Sequence, residues 1–131
     1  MRLAFFGDVV GRSGREGLAT HLPGLRRRLG LDFVIVNAEN AAAGFGITEN
    51  TARELYIAGA DCLTLGNHSW DQKEALTYIV REPRLIRPLN YPPFADAPGR
   101  GVQLFTTERG VLSLHVCSLD TFLPRSRLSS G

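Results

Sequence analysis

The sequence has few of the residues that mark membrane, metal-cluster or disulfide-rich proteins. Its 131 residues contain two cysteines, one methionine and one tryptophan, and Lys73 is the only lysine. No apolar run is long enough to span a bilayer. The apolar segment Leu3–Phe6 is also too short for the core of a signal peptide. We therefore expect a cytoplasmic protein with no membrane partner.

The cysteines and the charge balance exclude two further classes. Cys62 and Cys117 lack the spacing of a zinc site, so we expect two buried thiols rather than a disulfide or a metal site. The net charge of +2 gives no reason to expect duplex nucleic acid as a partner. All basic residues except Lys73 are arginine, a residue that binds phosphate through paired hydrogen bonds. This bias is compatible with a phosphate-containing substrate but does not indicate one.

Three short apolar runs predict a parallel sheet. The runs are Leu3–Phe6, Phe33–Val36 and Cys62–Leu65, and each ends in a polar cluster that contains glycine or asparagine. Their apolar character is continuous rather than alternating, which is typical of strands covered on both faces. A fourth strand is expected within Arg84–Arg87.

The segments between these runs have the pattern of helices. We expect helices from Ser13 to Leu29, from Thr48 to Ala58 and from Asp71 to Val80, each capped by its first residue. Glu16 completes a capping box with Ser13, and Pro23 should kink or split the first helix. Alternation of strands and helices predicts an α/β fold, with a mainly parallel sheet and flanking helices.

The later part of the chain carries weaker signals. After the proline-rich stretch Pro88–Pro98, the segments Val102–Thr107 and Val111–Val116 are expected to form a hairpin around Glu108-Arg109-Gly110. The end of the chain, from Pro124, is polar and lacks periodicity, so we expect it to be frayed.

Chemistry-bearing side chains follow the three predicted strands. Ligands of open α/β sheets bind at the carboxyl ends of the strands. Those ends carry Asp8, then Glu39 with Asn40, then Asn67 with His68. Carboxylate, amide and imidazole groups suit manganese, iron or zinc. Glu39 could bridge two ions roughly 3.5–4 Å apart, whose shared water would form a hydroxide that attacks phosphorus.

His68 is the candidate proton donor at this site. Neighbouring residues of a strand face opposite ways, but Gly66 permits a turn that lets Asn67 bind metal while His68 faces the substrate. A histidine with its ordinary pKa of about 6.5 is a suitable acid for a leaving alkoxide. Taken alone, Asp8 and the two asparagines would be interpreted as turn residues, and His68 as a structural histidine. Their occurrence at three successive strand ends favours a site.

Two other functions remain open at this point. The Gly11–Gly14 stretch could be a nucleotide-phosphate loop, with Arg12 or Arg15 facing the phosphate. It has neither the Gly-Lys-Ser/Thr of a P-loop nor the G-x-G-x-x-G spacing of a dehydrogenase. The chain could also be a catalytically inactive remnant that binds only metal or a partner.

Six short motifs occur in a fixed order along the chain. They are Gly7–Arg12, Asn37–Ala42, Gly44–Thr48, Gly66–Asp71, Arg87–Pro92 and Pro98–Gly101. Together they resemble the YmdB-like branch of the calcineurin-type metallophosphoesterases, from Met1 to about Thr107. Gly-Asp and Gly-Asn-His are shared broadly among calcineurin-like enzymes, whereas Asn-Ala-Glu-Asn is particular to this branch.

The resemblance implies a fold, a reaction and a set of roles. The fold would be the N-terminal half of a calcineurin-like α/β sandwich. Asp8 and Asn40 would bind a first metal ion, Glu39 would bridge, Asn67 would bind a second ion, and His68 would donate a proton. The branch is associated with phosphodiester hydrolysis, notably of 2′,3′-cyclic nucleotides, using iron or manganese. No substrate-binding residue is implied.

The sequence departs from the branch near its end. The branch continues with a second half that supplies three more histidines, in His-Ala-Glu and Gly-Thr-His-Thr-His segments that are absent here. His21 and His115 match neither segment and are expected to be core or surface residues. We therefore expect a truncated domain over residues 1–113 and a divergent, poorly ordered tail over 114–131, explained by truncation or a frameshift.

This departure has consequences for metal binding and for association. With four protein ligands, one divalent ion or none is expected to bind tightly, and catalysis should be poor. Half of a two-sheet sandwich would leave an apolar sheet face exposed to water, which favours association into a homo-oligomer.

Overall fold

Alternating strands and helices build a four-stranded parallel sheet. The computed structural model describes residues 1–118. Its strands are β1 (Leu3–Phe6), β2 (Phe33–Asn37), β3 (Cys62–Thr64) and β4 (Leu85–Ile86), which lie side by side in that order. All neighbouring pairs in this sheet are parallel. The predicted α/β fold and the predicted fourth strand are confirmed.

Three helices connect the strands, with starts that differ from those expected. They are α1 (Gly11–Leu29), α2 (Glu49–Ala58) and α3 (Ala75–Arg81). The capping prediction for Ser13 is wrong, because α1 begins before it and its N-cap, Val10, provides no side-chain cap. Glu16 instead accepts a hydrogen bond from Arg12, one helical turn away, at 2.7 Å.

One of the other two predicted caps is confirmed and one is wrong. Thr48 caps α2 in a reciprocal arrangement, since its hydroxyl accepts from the Thr51 backbone N–H and Thr51 accepts from the Thr48 N–H. Helix α3 begins only at Ala75, and its N-cap Glu74 makes no side-chain cap. Asp71 lies too far before this start to cap it, and its carboxylate is bonded elsewhere.

Helix α1 continues through Pro23, so of the predicted kink or split the split is wrong, and the kink stays a prediction. A proline inside a helix removes one backbone hydrogen bond and costs about 3 kcal/mol. Contacts on both sides of Pro23 offset this cost. Leu22 is fully buried in the core, and the Arg26 guanidinium donates to the Gly59 carbonyl at 2.7 Å and pairs with Asp61 at 2.9 Å.

The second half of the described chain forms the expected hairpin. Strands β5 (Val102–Thr107) and β6 (Gly110–His115) are antiparallel and joined by a two-residue turn at Glu108 and Arg109. Gly110, with φ of 133°, begins β6 one residue earlier than expected. A short 3-10 turn at Pro93–Ala95 precedes the hairpin.

The two faces of the parallel sheet are covered differently. Side chains that alternate along a strand point to opposite faces. One face carries Val34 and Val36 and belongs to the main core with residues of the helices. The other face carries a smaller cluster of Phe33, Ile35, Cys62 and Ile86, against which Phe105, Leu112, Leu114 and Val116 of the hairpin region pack.

The hairpin limits the exposure that was expected for this second face. Over β2, β3 and β4 the apolar face is covered, and Phe105 packs on Phe33 with ring centroids 4.9 Å apart. On β1, Leu3 and Phe5 remain 46% and 62% exposed. The expectation of an exposed apolar sheet face is therefore corrected to an exposed edge at β1.

The two cysteines have different surroundings. Cys62 is buried, as predicted, but Cys117 is exposed, so that prediction is wrong. Cys117 follows Val116, which packs on the sheet, and adjacent extended residues face opposite ways.

His21 and His115 both lie at the surface. Leu114 and His115 belong to β6. Residues 119–131, including the stretch predicted to fray, lie outside the described residues, and the domain boundary at 113 stays a prediction. None of the described helices is both long and apolar enough to cross a membrane.

Candidate functional site

Residues of the candidate site follow three adjacent parallel strands. Asp8 comes after β1, Glu39 and Asn40 come after β2, and Asn67 and His68 come after β3. Because the strands are parallel, these residues lie at one edge of the sheet. The first direct contact is between Asn40 and Asp8, in which the Asn40 amide donates to the Asp8 carboxylate at 2.9 Å.

The Glu39 carboxylate connects the loops that follow β2 and β3. Its Oε2 accepts from the His68 backbone N–H at 3.2 Å. Its Oε1 accepts from the Asn37 amide at 3.4 Å, and the Asn37 side-chain oxygen accepts from the Glu39 N–H in return. Glu39 is thus held between its own loop and the backbone of the Gly-Asn-His segment.

The position of the Glu39 carboxylate requires a residue without a side chain at Gly66. A Cβ atom added at Gly66 would lie 2.4 Å from Glu39 Oε2 and 2.5 Å from Oε1, well inside van der Waals contact. The glycine therefore lets the carboxylate lie directly against the backbone of the β3 loop. The sequence indicated only a turn at Gly66, so this close approach was not predicted.

His68 is paired with Asp71, a contact that was not predicted from the sequence. The two side chains meet at 2.6 Å, between His68 Nδ1 and Asp71 Oδ2. His68 and Asn67 are both half-buried. Among the described residues, the Asn67 side chain has no hydrogen-bond partner. The spacing of three residues between His68 and Asp71 was a signal for the pair, but Asp71 is also three residues before Glu74, which suggested a helix cap instead.

The Gly44–Thr48 motif supports the loop that carries His68. Gly46, with φ of 73°, packs so closely that an added Cβ would lie 3.1 Å from the His68 carbonyl oxygen and 3.2 Å from Asp71 Cβ. The Gln72 amide donates to the Phe45 carbonyl at 2.8 Å. Two glycines with positive φ, Gly44 and Gly46, allow this tight turn.

A cavity of about 260 Å³ opens beside Glu39. It lies between the sheet edge and the end of the hairpin, and its walls include Asn37, Thr64, Gly66 and His115. The cavity therefore gives a small ligand access to the Glu39 carboxylate.

Comparison with known proteins identifies the family. The model of the family described as YmdB-like protein matches residues 4–124. The chain belongs to the YmdB-like family. The resemblance carried by the six motifs is thereby confirmed.

Two relatives of known name agree with this assignment. The YmdB-like chain is 40% identical over 124 residues to the 2′,3′-cyclic-nucleotide 2′-phosphodiesterase of Bacillus subtilis, covering 95% of this chain and 46% of that protein. It is 40% identical over 90 residues to a putative phosphatase/phosphodiesterase of Mycoplasma genitalium, covering 69% of this chain and 32% of that protein. The chain thus spans less than half the length of these relatives.

Two crystal structures share the fold. One is of a hypothetical protein from Thermus thermophilus, with a TM-score of 0.79 and 42% identity, covering 86% of this chain and 43% of that one. The other is of a novel phosphatase from Mycoplasma pneumoniae, with a TM-score of 0.76 and 35% identity, covering 83% and 40%.

The glycine-rich start of α1 in the YmdB-like chain does not present arginines to a phosphate. Arg12 is paired with Glu16 at 2.7 Å. Arg15 is paired with Glu54 at 2.6 Å and also donates to the Ala41 carbonyl. Both guanidinium groups therefore have carboxylate partners, and the nucleotide-loop hypothesis gains no support.

The donor set of the YmdB-like chain is compatible with a divalent cation. No ion pair formed within residues 1–118 includes Asp8 or Glu39, so neither carboxylate is neutralised by a basic side chain. The described residues contain no group of three or more His, Cys, Asp and Glu placed to hold a metal ion. The candidate ligands instead combine these two carboxylates with the amides of Asn40 and Asn67.

The Asn40 amide shows what metal binding would require. In this structure the NH₂ group of Asn40 faces Asp8. An amide binds cations through its oxygen, so shared ligation by Asp8 and Asn40 requires this amide to turn over. Oxygen ligands with two negative charges fit a hard or borderline divalent ion, as expected for manganese or iron.

Proposed function

We propose that this chain supplies metal ligands and the proton donor of a cytoplasmic, metal-dependent phosphodiesterase. The reaction is hydrolysis of a phosphodiester by water to a phosphomonoester and an alcohol, with 2′,3′-cyclic nucleotides as the substrate class. The name of the Bacillus subtilis relative supports this substrate class. We expect no membrane and no duplex nucleic acid among its partners.

One observation carries the proposal. The Glu39 carboxylate lies against the backbone of Gly66 and His68, and the Asp8–Asn40 pair lies at the same sheet edge. Asp8 is exposed and Glu39 half-buried, and neither carboxylate is neutralised by a basic side chain within residues 1–118, so both negative charges are available to a cation. The arrangement therefore favours cation binding over a purely structural role.

The proposed metal ligands are Asp8, Glu39, Asn40 and Asn67. A divalent ion held there would polarise phosphoryl oxygens and lower the pKa of water. In a complete two-metal site Glu39 would be the ligand shared by both ions, a role that its two oxygens, which accept from two different loops, would allow. With only two charged ligands in the described residues, we expect one loosely bound ion for residues 1–131.

His68 is the proposed proton donor. Its Nδ1 is occupied by Asp71, so Nε2 is the nitrogen that remains for the substrate. A proton delivered from Nε2 to the leaving oxygen prevents the build-up of an alkoxide, an effect that typically contributes about 10²–10⁴-fold in rate.

The first experiment is a calorimetric titration of the chain with manganese. We expect one weak site, lost in Glu39→Ala and retained in Glu108→Gln. Glu108 is a matched acidic control because it lies in the β5–β6 turn, beside Asp32 and Phe33 at the opposite end of the sheet. Two tight sites, or equal binding by Glu39→Ala, would contradict the proposed ligand set.

The second experiment separates an enzyme from a binding module. The chain is incubated with manganese and either bis(p-nitrophenyl) phosphate or a 2′,3′-cyclic nucleotide. We expect slow, metal-dependent turnover that Asp8→Ala abolishes and Glu108→Gln leaves unchanged. Metal binding without turnover would instead support the alternative that the chain only binds metal. The small number of charged ligands is the observation that favours this alternative.

A further inference from the structure

Within the described residues, the Asp71 carboxylate makes no hydrogen bond or ion pair other than its contact with His68. It does not cap α3, which begins at Ala75. Within residues 1–118 its carboxylate pairs with no lysine or arginine, and its one ion-pair partner is His68. The separation of 2.6 Å between Nδ1 and Oδ2 is short, as in charge-assisted hydrogen bonds.

The turn that holds the pair is fixed from several sides. The Asp71 N–H donates to the His68 carbonyl at 3.3 Å, which closes the turn. The buried Ser69 hydroxyl donates to the Gly66 carbonyl at 2.5 Å, and the Tyr91 hydroxyl donates to the same carbonyl at 3.3 Å. The close packing of Gly46 supports the opposite side of the turn. The imidazole and the carboxylate therefore meet on a rigid support.

We propose that Asp71 is a positioning residue that fixes the tautomer and the direction of the His68 ring. The carboxylate accepts the Nδ1–H, so Nε2 carries the proton that is transferred. The partner of one ring nitrogen determines the state of the other, as in hydrolases whose histidine is oriented by an aspartate. This inference deepens the proposed function and depends on it for the role of His68.

The proton balance of the step follows from this assignment. The phosphorus–oxygen bond to the leaving oxygen breaks while the Nε2 proton passes to that oxygen, which yields the alcohol. Water supplies the oxygen that binds phosphorus, and its displaced proton goes to solvent. His68 is left neutral with Nδ1–H still bonded to Asp71, and Nε2 then takes a proton from solvent. The Asp71 carboxylate accepts the Nδ1–H both before and after the transfer.

The test that needs no catalysis is a tautomer measurement on the metal-free chain. Long-range ¹H–¹⁵N correlation spectra at about pH 9, above the ordinary histidine pKa of about 6.5, report which ring nitrogen is protonated. We expect His68 to hold the Nδ1–H tautomer in the wild type and to shift largely to Nε2–H in Asp71→Ala. His21 and His115 are exposed internal references that should not change, and Glu108→Gln is the matched acidic control. An Nε2–H tautomer in the wild type, or an unchanged one in Asp71→Ala, would overturn the proposal.

The kinetic test uses two leaving groups with manganese present. A cyclic nucleotide leaves as an alkoxide that needs a proton, whereas p-nitrophenolate needs little help. We expect Asp71→Ala to lower kcat for the cyclic nucleotide by about 10²-fold with little change in KM. For bis(p-nitrophenyl) phosphate we expect less than about a threefold loss.

Equal losses on both substrates would show that Asp71 acts only on local structure and would overturn the proposal. A wild-type chain that turns over neither substrate would reject the proposed function. The tautomer result would still decide whether Asp71 orients His68, so the two failures are distinguishable.

Discussion

At the scale of single residues, the site depends on a glycine as much as on its charged groups. Gly66 leaves room for the Glu39 carboxylate, which an added Cβ would approach to 2.4 Å. We predict that Gly66→Ala displaces Glu39 and weakens manganese binding at least about tenfold, equivalent to about 1.4 kcal/mol. Gly17→Ala is the matched control, because a Cβ there meets nothing within 4 Å. Unchanged calorimetric affinity in Gly66→Ala would show that Glu39 is not a ligand.

The two thiols differ in their surroundings and should differ in reactivity. Burial raises the pKa of the Cys62 thiol from 9.0 to about 12, whereas Cys117 is exposed. Only thiolates attack disulfide reagents, so we predict that Ellman's reagent modifies one thiol in the folded chain and two in urea. The variant Cys117→Ser should lose the fast reaction. Two fast thiols in the folded chain would contradict the described burial of Cys62.

The stability of the folded chain should depend on pH through the Cys62 thiol. The pKa of Cys62 is higher in the folded chain than in the unfolded chain, so its contribution to stability is complete below about pH 9. As pH rises from about 9 towards 12, the unfolded thiol ionises first and the free energy of unfolding falls.

Residue patterns located the candidate site but not the contacts within it. Strand ends are visible in the sequence because apolar runs stop there, which places Asp8, Glu39 and His68 at one edge. The pairing of His68 with Asp71 was hidden, because an aspartate three residues before Glu74 also fits a helix cap. Whether Asp71 caps α3 or pairs with His68 is decided by the residue at which α3 begins. That start depends on tertiary packing, which local spacing does not determine.

At the scale of elements, α2 owes its position to a well-defined cap. Thr48 satisfies the Thr51 N–H, and Thr51 satisfies the Thr48 N–H. We predict that Thr48→Ala lowers the free energy of unfolding by about 1 kcal/mol, measured by urea denaturation. Thr20→Ala, an exposed change inside α1, is the control and should raise stability by a few tenths of a kcal/mol at most. Equal effects of the two changes would mean that the cap contributes nothing.

At the scale of the whole molecule, apolar runs predicted a parallel sheet, but neither the order of its strands nor the cover of its second face. The hairpin has strands of mixed exposure, and nothing in its own pattern indicates which surface it packs against. Phe105 packs on Phe33 of β2, and Leu112 packs on the same apolar cluster, so these contacts join distant parts of the chain and depend on its whole fold. The same packing leaves Leu3 and Phe5 exposed on β1, which is an edge strand within residues 1–118.

This apolar edge should cause concentration-dependent association of the 131-residue chain. An edge strand presents unpaired backbone groups, and exposed apolar side chains beside it favour contact with a second copy. We predict that sedimentation equilibrium gives an average mass above the monomer value of 14.4 kDa, rising with concentration. Phe5→Ser should restore the monomer mass, whereas Phe94→Ser should not, although Phe94 is even more exposed at 89%. Phe94 belongs to the 3-10 turn and not to a strand. A wild-type chain that stays monomeric at high concentration, or a Phe94→Ser variant that dissociates as readily as Phe5→Ser, would show that the β1 edge is not the contact.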